Sequence, residues 1–117
     1  MTLRMVVLFA ALASMPLAAA DVTGAWIFEV TLDAGTGTPS FEFKQDGEKL
    51  TGKYMGMFGE APLTGTVKGD RIRFQFKLSQ GGESIEVIYE GAIQGDSMKG
   101  KADYSGMASG TWTAKRK

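Results

Sequence analysis

The chain has 117 residues, no cysteine and no histidine, and 13 basic residues against 13 acidic ones. Without cysteine it has no disulfide and no thiol nucleophile, and without histidine it lacks the commonest general base and the commonest protein metal ligand. Because basic and acidic residues are interspersed along the sequence, no segment is typical of a nucleic-acid partner or of binding to an anionic membrane.

The first twenty residues have the features of a secretory signal peptide. Arg4 supplies a positive charge, residues 5–12 form an unbroken apolar run, and residues 18–20 are small alanines that precede a cleavage site. We expect cleavage after Ala20, a periplasmic or secreted protein, and a mature domain of residues 21–117. The alternative is an N-terminal anchor helix. No later segment is apolar for long enough to span a bilayer, so no membrane span is expected after cleavage.

After residue 20, apolar and polar residues alternate with a period of two, which is typical of half-buried β-strands. The pattern is clearest where Ile72, Phe74 and Phe76 alternate with Arg71 and Arg73. Each apolar set predicts one strand. The eight sets begin, in chain order, at Trp26, Phe41, Leu50, Ala61, Ile72, Ile85, Met98 and Ala108.

The connections between the eight predicted strands are short, which leaves no room for a crossover helix. Sequential hairpins form a meander, and eight strands are enough to close into an up-and-down barrel without an exposed edge. We therefore predict an all-β fold for residues 21–117, a single eight-stranded antiparallel β-barrel. A two-sheet β-sandwich is the alternative.

The predicted connections fall into two groups, one at each end of the barrel. The end that we name the closed end has tight pairs with residues that suit positive φ, namely Asp46–Gly47, Gly69–Asp70 and Gly95–Asp96. At the opposite end, which we name the open end, longer glycine-rich connections are expected at residues 33–39, 56–60, 79–83 and 105–107. These connections carry the apolar residues Met57, Phe58 and Met107.

The start of the predicted domain resembles that of the calycin barrels, which comprise lipocalins, fatty-acid-binding proteins and the avidin-like group. The segment Asp21-Val-Thr-Gly-Ala-Trp26 is similar to their Gly-x-Trp opening. In those families a basic residue late in the last strand packs across the tryptophan, and Arg116 has the matching inward register here. The closing segment 109–116 and the glycine-rich strands also resemble a small lipocalin-like module attached to secreted bacterial hydrolases.

The chain also departs from these families. A typical lipocalin is longer and has a C-terminal helix and disulfides, and an avidin biotin site uses several more tryptophans than Trp26 and Trp112. The resemblance therefore implies a calycin-like fold and a structural closure between Trp26 and Arg116. It implies no particular ligand.

The remaining side chains do not predict a catalytic or metal site. Carboxylate catalysis requires two acids that face one cleft, whereas the strand acids have the outward register: Glu29, Glu42, Glu86, Glu90 and Asp103. Turn propensity explains each of Asp46, Asp70 and Asp96 separately, although their grouping at the closed end leaves a calcium site as the alternative. We expect no enzyme activity, no metal and no cofactor.

An eight-stranded barrel is just wide enough to be filled by side chains or to hold one small ligand. Inward glycines such as Gly52 and Gly91 favour free space, although glycine also relieves strain in a small coiled barrel. We expect a filled lower half and a shallow apolar pocket at the open end that binds a small hydrophobic molecule. Its candidate lining is Leu32, Phe41, Phe58, Leu78, Ile85 and Tyr104.

The alternative function is a structural or accessory module with a filled core, which acts through its outer surface on a partner such as an envelope protein. The outward apolar residues Ile27, Met55, Met57 and Ile88 favour this function, because exposed apolar patches mark contact sites. A ligand-sized cavity of roughly 300 Å³ or more distinguishes the carrier from the module.

Overall fold

A computed structural model of the chain describes residues 20–117. The predicted signal peptide lies outside the described residues except for Ala20, and its cleavage stays a prediction. Within residues 20–117, no helix is long and apolar enough to cross a membrane. The strands are β1 Gly24–Leu32, β2 Gly35–Gly37, β3 Ser40–Asp46, β4 Lys49–Gly56, β5 Gly59–Lys68, β6 Arg71–Gln80, β7 Glu83–Gln94, β8 Ser97–Tyr104 and β9 Ala108–Arg116.

The strands form a closed antiparallel barrel. Each strand from β3 to β8 pairs with the next one along the chain, and β9 returns to pair with β1 from Trp26↔Arg116 to Leu32↔Gly110. This pairing satisfies the edges that an open sheet would leave free. The predicted all-β, eight-stranded meander barrel is confirmed, with one additional short strand, β2.

Strand β2 continues the line of β3 along β1. The pairs Val30↔Gly37 and Ile27↔Ser40 belong to one register, so the two short segments act as a single strand interrupted at Thr38–Pro39. Pro39 has no N–H to donate, which breaks the ladder, although its carbonyl still accepts a hydrogen bond from Phe28 N at 2.9 Å. The prediction of a loop over residues 33–39 is therefore wrong, because only Asp33–Ala34 form the turn.

Two further open-end connections are also shorter than predicted. The chain turns at Met57–Phe58 and Gly81–Gly82, and the flanking residues continue the strand pairing as Gly56↔Gly59 and Gln80↔Glu83. Only the three-residue turn 105–107 agrees with its predicted length. Both ends of the barrel are thus made of tight hairpins, and the open end is not a mouth framed by long loops.

Aromatic rings fill the interior. Phe28 lies at their centre, with its ring centroid 4.3 Å from that of Phe41 and 4.8 Å from that of Trp112. Farther towards the open end, Tyr54 stacks on Phe76 at 4.7 Å. Burial of one large apolar side chain contributes about 1.5–3 kcal/mol, so this cluster is a main source of stability. Its other buried members are Phe43, Phe74 and Tyr89.

The inward glycines mark close approaches between strands and do not provide free space. A Cβ atom at Gly100 would overlap the main-chain oxygen of Glu90, and one at Gly110 would overlap that of Thr31. The same conflict with a neighbouring carbonyl occurs at Gly52, Gly65 and Gly91. Glycine at these positions lets the strands cross at short range and the barrel coil tightly. The expectation that they leave room for a ligand is wrong.

Candidate functional site

The closed end is sealed by Trp26 and Arg116. Trp26 is fully buried, and its Nε1–H donates to the carbonyl of Val22 at 2.8 Å. The guanidinium carbon of Arg116 lies 4.6 Å from the centre of the Trp26 ring, the arrangement expected from the register of β1 and β9. A cation over an indole face contributes about 0.5–2 kcal/mol.

The guanidinium of Arg116 also fastens the segment that precedes β1. Its Nη1 and Nη2 groups donate to the carbonyls of Thr23 and Asp21, and its Nε donates to the Asp96 carboxylate, each at 2.9 Å. Hydrogen bonding to Thr23, assisted by the charge of Arg116, holds the pKa of Asp21 below its usual range. One side chain therefore links the N-terminal segment, the first strand, the last strand and the turn between β7 and β8.

Gln45 is the second anchor of this segment, and sequence reasoning did not find it. Its side chain accepts from Val22 N at 2.9 Å and donates to the carbonyl of Ala20 at 2.8 Å. Val22 is fully buried as a result and plugs the base of the barrel. Gln45 is on the inward face of β3, which it shares with the apolar residues Phe41 and Phe43. A polar residue at an inward position was the feature of the sequence that could have indicated its structural role.

The open end presents apolar residues instead of sealing them. Met57, Phe58 and Met107, which we call the apolar rim, have 86%, 44% and 71% of their surface exposed. Met57 and Phe58 form the β4–β5 turn, and Met107 belongs to the β8–β9 turn. Since the barrel order places these two turns on opposite sides of the open end, the rim flanks the barrel axis.

The β8–β9 turn holds Met107 on a rigid support. Ser105 has a positive φ of 54°, an uncommon backbone conformation for a residue other than glycine. Its hydroxyl accepts from Glu86 N at 2.9 Å and donates to Glu86 O at 2.7 Å, which ties the turn to β7. Asp103 accepts from Gly106 N at 2.9 Å. An ordered turn that exposes a large apolar side chain is pre-organised for contact with another molecule.

Behind the rim, three tyrosines place their hydroxyls in the open half of the barrel. The hydroxyls of Tyr89 and Tyr104 lie 2.7 Å apart, close enough for a hydrogen bond. Burial, reinforced by the neighbouring Tyr104, raises the pKa of Tyr89 far above its ordinary value, and burial also raises the pKa of Tyr54 and of Tyr104. All three phenols are neutral hydrogen-bonding groups near neutral pH.

The six residues predicted to line a mouth pocket occupy three different environments. Phe41 and Leu78 are buried in the filled interior, with Phe41 packed against Phe28. Leu32, Ile85 and Tyr104 are partly buried and pack on the core from the open end. Phe58 is on the rim. The six side chains thus differ in burial, and the pocket that they were predicted to line stays a prediction.

The prominent cavities of residues 20–117 are depressions on the outer surface of the barrel. The two largest have volumes of about 710 Å³ and 520 Å³ and lie over strands β7, β8 and β9. None of the six predicted mouth residues lines them or the three smaller ones. In residues 20–117, no group of three or more carboxylates is close enough to hold a metal ion.

Comparison with known proteins does not add a family to this description. No protein-family model matches the chain, and no curated protein is significantly similar to it in sequence. The closed eight-stranded antiparallel barrel is consistent with a calycin-like fold. The structure thus supports a fold for this chain, and no family is assigned to it.

Proposed function

We propose that this protein is an exported, non-enzymatic binding module, in which a filled barrel presents the apolar rim to a partner protein. The observation that carries the proposal is the contrast between a solid aromatic interior and three large apolar side chains exposed at one end. Large apolar side chains that are exposed at the same end of a domain are typical of an interaction site.

The rim is suited to protein contact by its chemistry as well as by its exposure. Methionine is flexible and polarizable, so Met57 and Met107 can adapt to the shape of an apposed surface. Phe58 supplies a ring, and aromatic residues are enriched in the cores of protein interfaces. Because hydrogen bonds to β7 fix the backbone around Met107, little backbone order has to be gained on binding.

The carrier of one small hydrophobic molecule is the second candidate function. It is favoured by the partly buried Leu32, Ile85 and Tyr104, which form an apolar margin next to the rim. The hydroxyl pair of Tyr89 and Tyr104 would offer such a molecule a neutral hydrogen-bonding group. The filled interior limits this ligand to a shallow position at the open end.

Site-specific photo-crosslinking in the native host tests the partner-protein function. A photoreactive phenylalanine analogue at Met57 or Met107 is expected to capture the same discrete protein, and Phe58→Ser is expected to reduce capture from both positions. The matched control carries the analogue at Lys44, which is exposed on the outer face of β3 near the closed end and outside the surface depressions. Equal capture from Lys44 would contradict a rim-specific contact.

Native mass spectrometry of the protein purified from its host separates the two candidates. The partner-protein function predicts the mass of the unliganded chain, and the carrier function predicts an additional small mass at one-to-one stoichiometry. Binding of the apolar dye Nile red gives a second readout. If the dye binds with a defined stoichiometry and Phe58→Ser removes binding while Lys77→Glu does not, the carrier is the correct function.

A further inference from the structure

A long groove crosses the outer wall of the barrel, away from the rim residues themselves. It consists of the two largest depressions, which adjoin because both are lined by Glu90, Lys101 and Thr111. We call the depression nearer the closed end the lower one and the depression that reaches Gly106 the upper one. The floor of the lower depression consists of small residues that include Gly91, Ala92 and Gly100. The groove therefore crosses the outer faces of strands β6 to β9.

Basic side chains border the groove in two cross-strand rows. In the first row, Arg71 and Lys99 flank Ala92, since each pairs with it from one side. In the second row, Arg73 and Lys101 flank Glu90 in the same way. Lys68 pairs with Arg71 and extends the first row onto β5.

Acidic neighbours neutralise only part of this positive charge. Glu90 lies 3.8 Å from Arg73 and is also the cross-strand partner of Lys101. Asp103 lines the upper depression, where its carboxylate already accepts from Gly106 N. Among the residues that line the lower depression, Glu90 is the acidic one, so Arg71 and Lys99 face each other across Ala92 without a carboxylate between them.

Folding segregates charges that are interspersed in the sequence. The wall formed by the segment before β1, strands β1–β3 and their turns is rich in acids and contains one lysine, Lys44. Its acidic residues are Asp21, Glu29, Asp33, Glu42, Asp46 and Glu48. The groove is therefore a basic face on a domain whose net charge is close to zero, and it attracts negative charge.

We propose that the groove is a docking site for an extended acidic segment of a partner protein. Residues two apart on a strand lie about 6.8 Å apart, which is the separation of Arg71 from Arg73 and of Lys99 from Lys101 along their strands. An extended peptide with an acidic residue at every second position repeats its carboxylates at the same interval. Guanidinium groups also match carboxylates in bidentate geometry.

A single-stranded nucleic acid fits the groove less well than a peptide. Proteins that bind single strands combine basic residues with aromatic side chains on which the bases stack. Trp112 is the aromatic residue that lines the groove among the described residues, and it is buried with its indole Nε1–H donating to the carbonyl of Lys101. The side chains that project along the β9 wall are instead the hydroxyls of Ser109, Thr111 and Thr113.

This docking site goes beyond the function proposed for the apolar rim and does not depend on it. The groove residues are on the outer faces of β6–β9, whereas Met57 and Phe58 are in the β4–β5 turn. The upper depression does reach Gly106, which precedes Met107. A single partner that contacts both the rim and the groove is compatible with this separation. Substitutions in the groove leave the rim residues unchanged, and substitutions in the rim leave the groove residues unchanged.

The test is a fluorescence-anisotropy titration of the whole domain with a labelled peptide in which glutamate and serine alternate. We expect saturable binding that weakens as salt is added, because exposed charges are screened. The double variant Arg71→Glu/Lys99→Glu is expected to bind roughly tenfold more weakly, since two attractive pairs become repulsive. The control Lys44→Glu/Lys53→Glu has the same change in net charge outside the groove and is expected to stay within about twofold.

Three results would overturn the proposal. The first is no saturable binding of the glutamate peptide, or equal binding of a matched peptide with glutamine in place of glutamate. The second is tighter binding of an oligothymidylate or of heparin than of the peptide, which would assign the groove to another polyanion. The third is an equal loss of affinity in the control double variant. Circular dichroism of every variant shows whether the barrel has remained folded.

Discussion

The two ends of this barrel are built from the same kind of tight hairpin, yet they expose different chemistry. At the closed end, Trp26 and Val22 are fully buried, and Arg116 and Gln45 connect the segment that precedes β1 to the strands. At the open end, Met57 and Met107 project into solvent. Hairpin geometry is therefore not what distinguishes the ends. The difference is that the segment preceding β1 covers the apolar side chains of the closed end, whereas Met57 and Met107 at the open end are exposed.

This contrast, together with the function proposed above, leads us to assign stability to the closed end and recognition to the open end. The closed end has side-chain hydrogen bonds that join residues far apart in the sequence, such as Arg116 to Asp21. Such contacts restrict the chain strongly, because they close long loops. Within residues 20–117 the rim has no comparable cover, and apolar surface left in water is a cost that contact with a partner would remove. The predictions below test this division, beginning with the largest expected effect on stability and ending with the smallest.

Substitution at the closed end should have the largest effect on stability. Trp26→Ala is expected to lower the free energy of unfolding by about 3–5 kcal/mol, because it leaves a cavity in the core and removes the contact with Arg116. Urea denaturation, followed by circular dichroism, measures the change.

A double-mutant cycle then isolates the contact between the two closing residues. Trp26→Ala and Arg116→Ala should be non-additive, with a coupling of about 0.5–2 kcal/mol. Additive effects would contradict the role of Arg116 as the cover of the indole. Since the Arg116 side chain is partly exposed, the coupling is expected towards the lower part of that range.

Glycine substitutions test whether the inward glycines mark close strand crossings. Gly100→Ala is expected to destabilise the barrel by about 1–3 kcal/mol or more, because the new methyl group meets the backbone of β7 and the strands must separate. Gly37→Ala is the matched control within a strand, since no atom lies within 4 Å of a Cβ built there. If the two variants are equally stable in thermal unfolding, β7 and β8 can accommodate a methyl group at position 100, and the close approach is not a constraint.

Alkaline pH should destabilise the open half through its tyrosines. Burial raises the pKa of Tyr89 above the ordinary value of about 10, so the folded state holds this proton more tightly than the unfolded state does. The resulting stability is complete below about pH 10 and is lost as the pH rises further, by about 1.4 kcal/mol per pH unit for one group. Tyr89→Phe is expected to show a shallower loss in urea denaturation above pH 10. An unchanged slope would contradict the burial of this phenol.

Substitution of the rim should have the smallest effect on stability. Met57→Ser and Met107→Ser are each expected to change the free energy of unfolding by less than about 0.5 kcal/mol, because exposed side chains lose little on truncation. Both should reduce capture of the partner in the crosslinking experiment. A loss of stability comparable to that of Trp26→Ala would mean that the rim packs as core.

The strand pattern was predictable because each of the eight longer strands has one buried and one exposed face. The alternation of Ile72, Phe74 and Phe76 with Arg71 and Arg73 indicates both the strand and its inward face. The position of Arg116 followed from the same alternation and from the antiparallel return of the last strand. The rim residues were recognisable as apolar residues placed in turns.

Other features depend on pairing that a one-dimensional pattern does not contain. The strand β2 was missed because Gly35–Gly37 has no side-chain alternation, and its pairing with β1 is imposed by the hairpin at Asp33–Ala34. Inward glycines are compatible with either a cavity or a crossing, and only the distance to the neighbouring carbonyl decides between them. The basic groove appears only when Arg71 and Lys99, far apart in the sequence, are brought to either side of Ala92.

Residue-resolved amide hydrogen exchange tests the division between the two ends most directly. Amides in paired strands at the closed end, such as Trp26, Val67 and Ile93, are expected to exchange only through global unfolding. The turn amides Met57 and Gly82 at the open end are expected to exchange through local opening with a much lower free energy, and Trp26→Ala should accelerate the slowest amides far more than Met107→Ser does. If the slowest amides cluster at the open end, or if Met107→Ser accelerates them as much as Trp26→Ala does, the separation of stability from recognition is wrong.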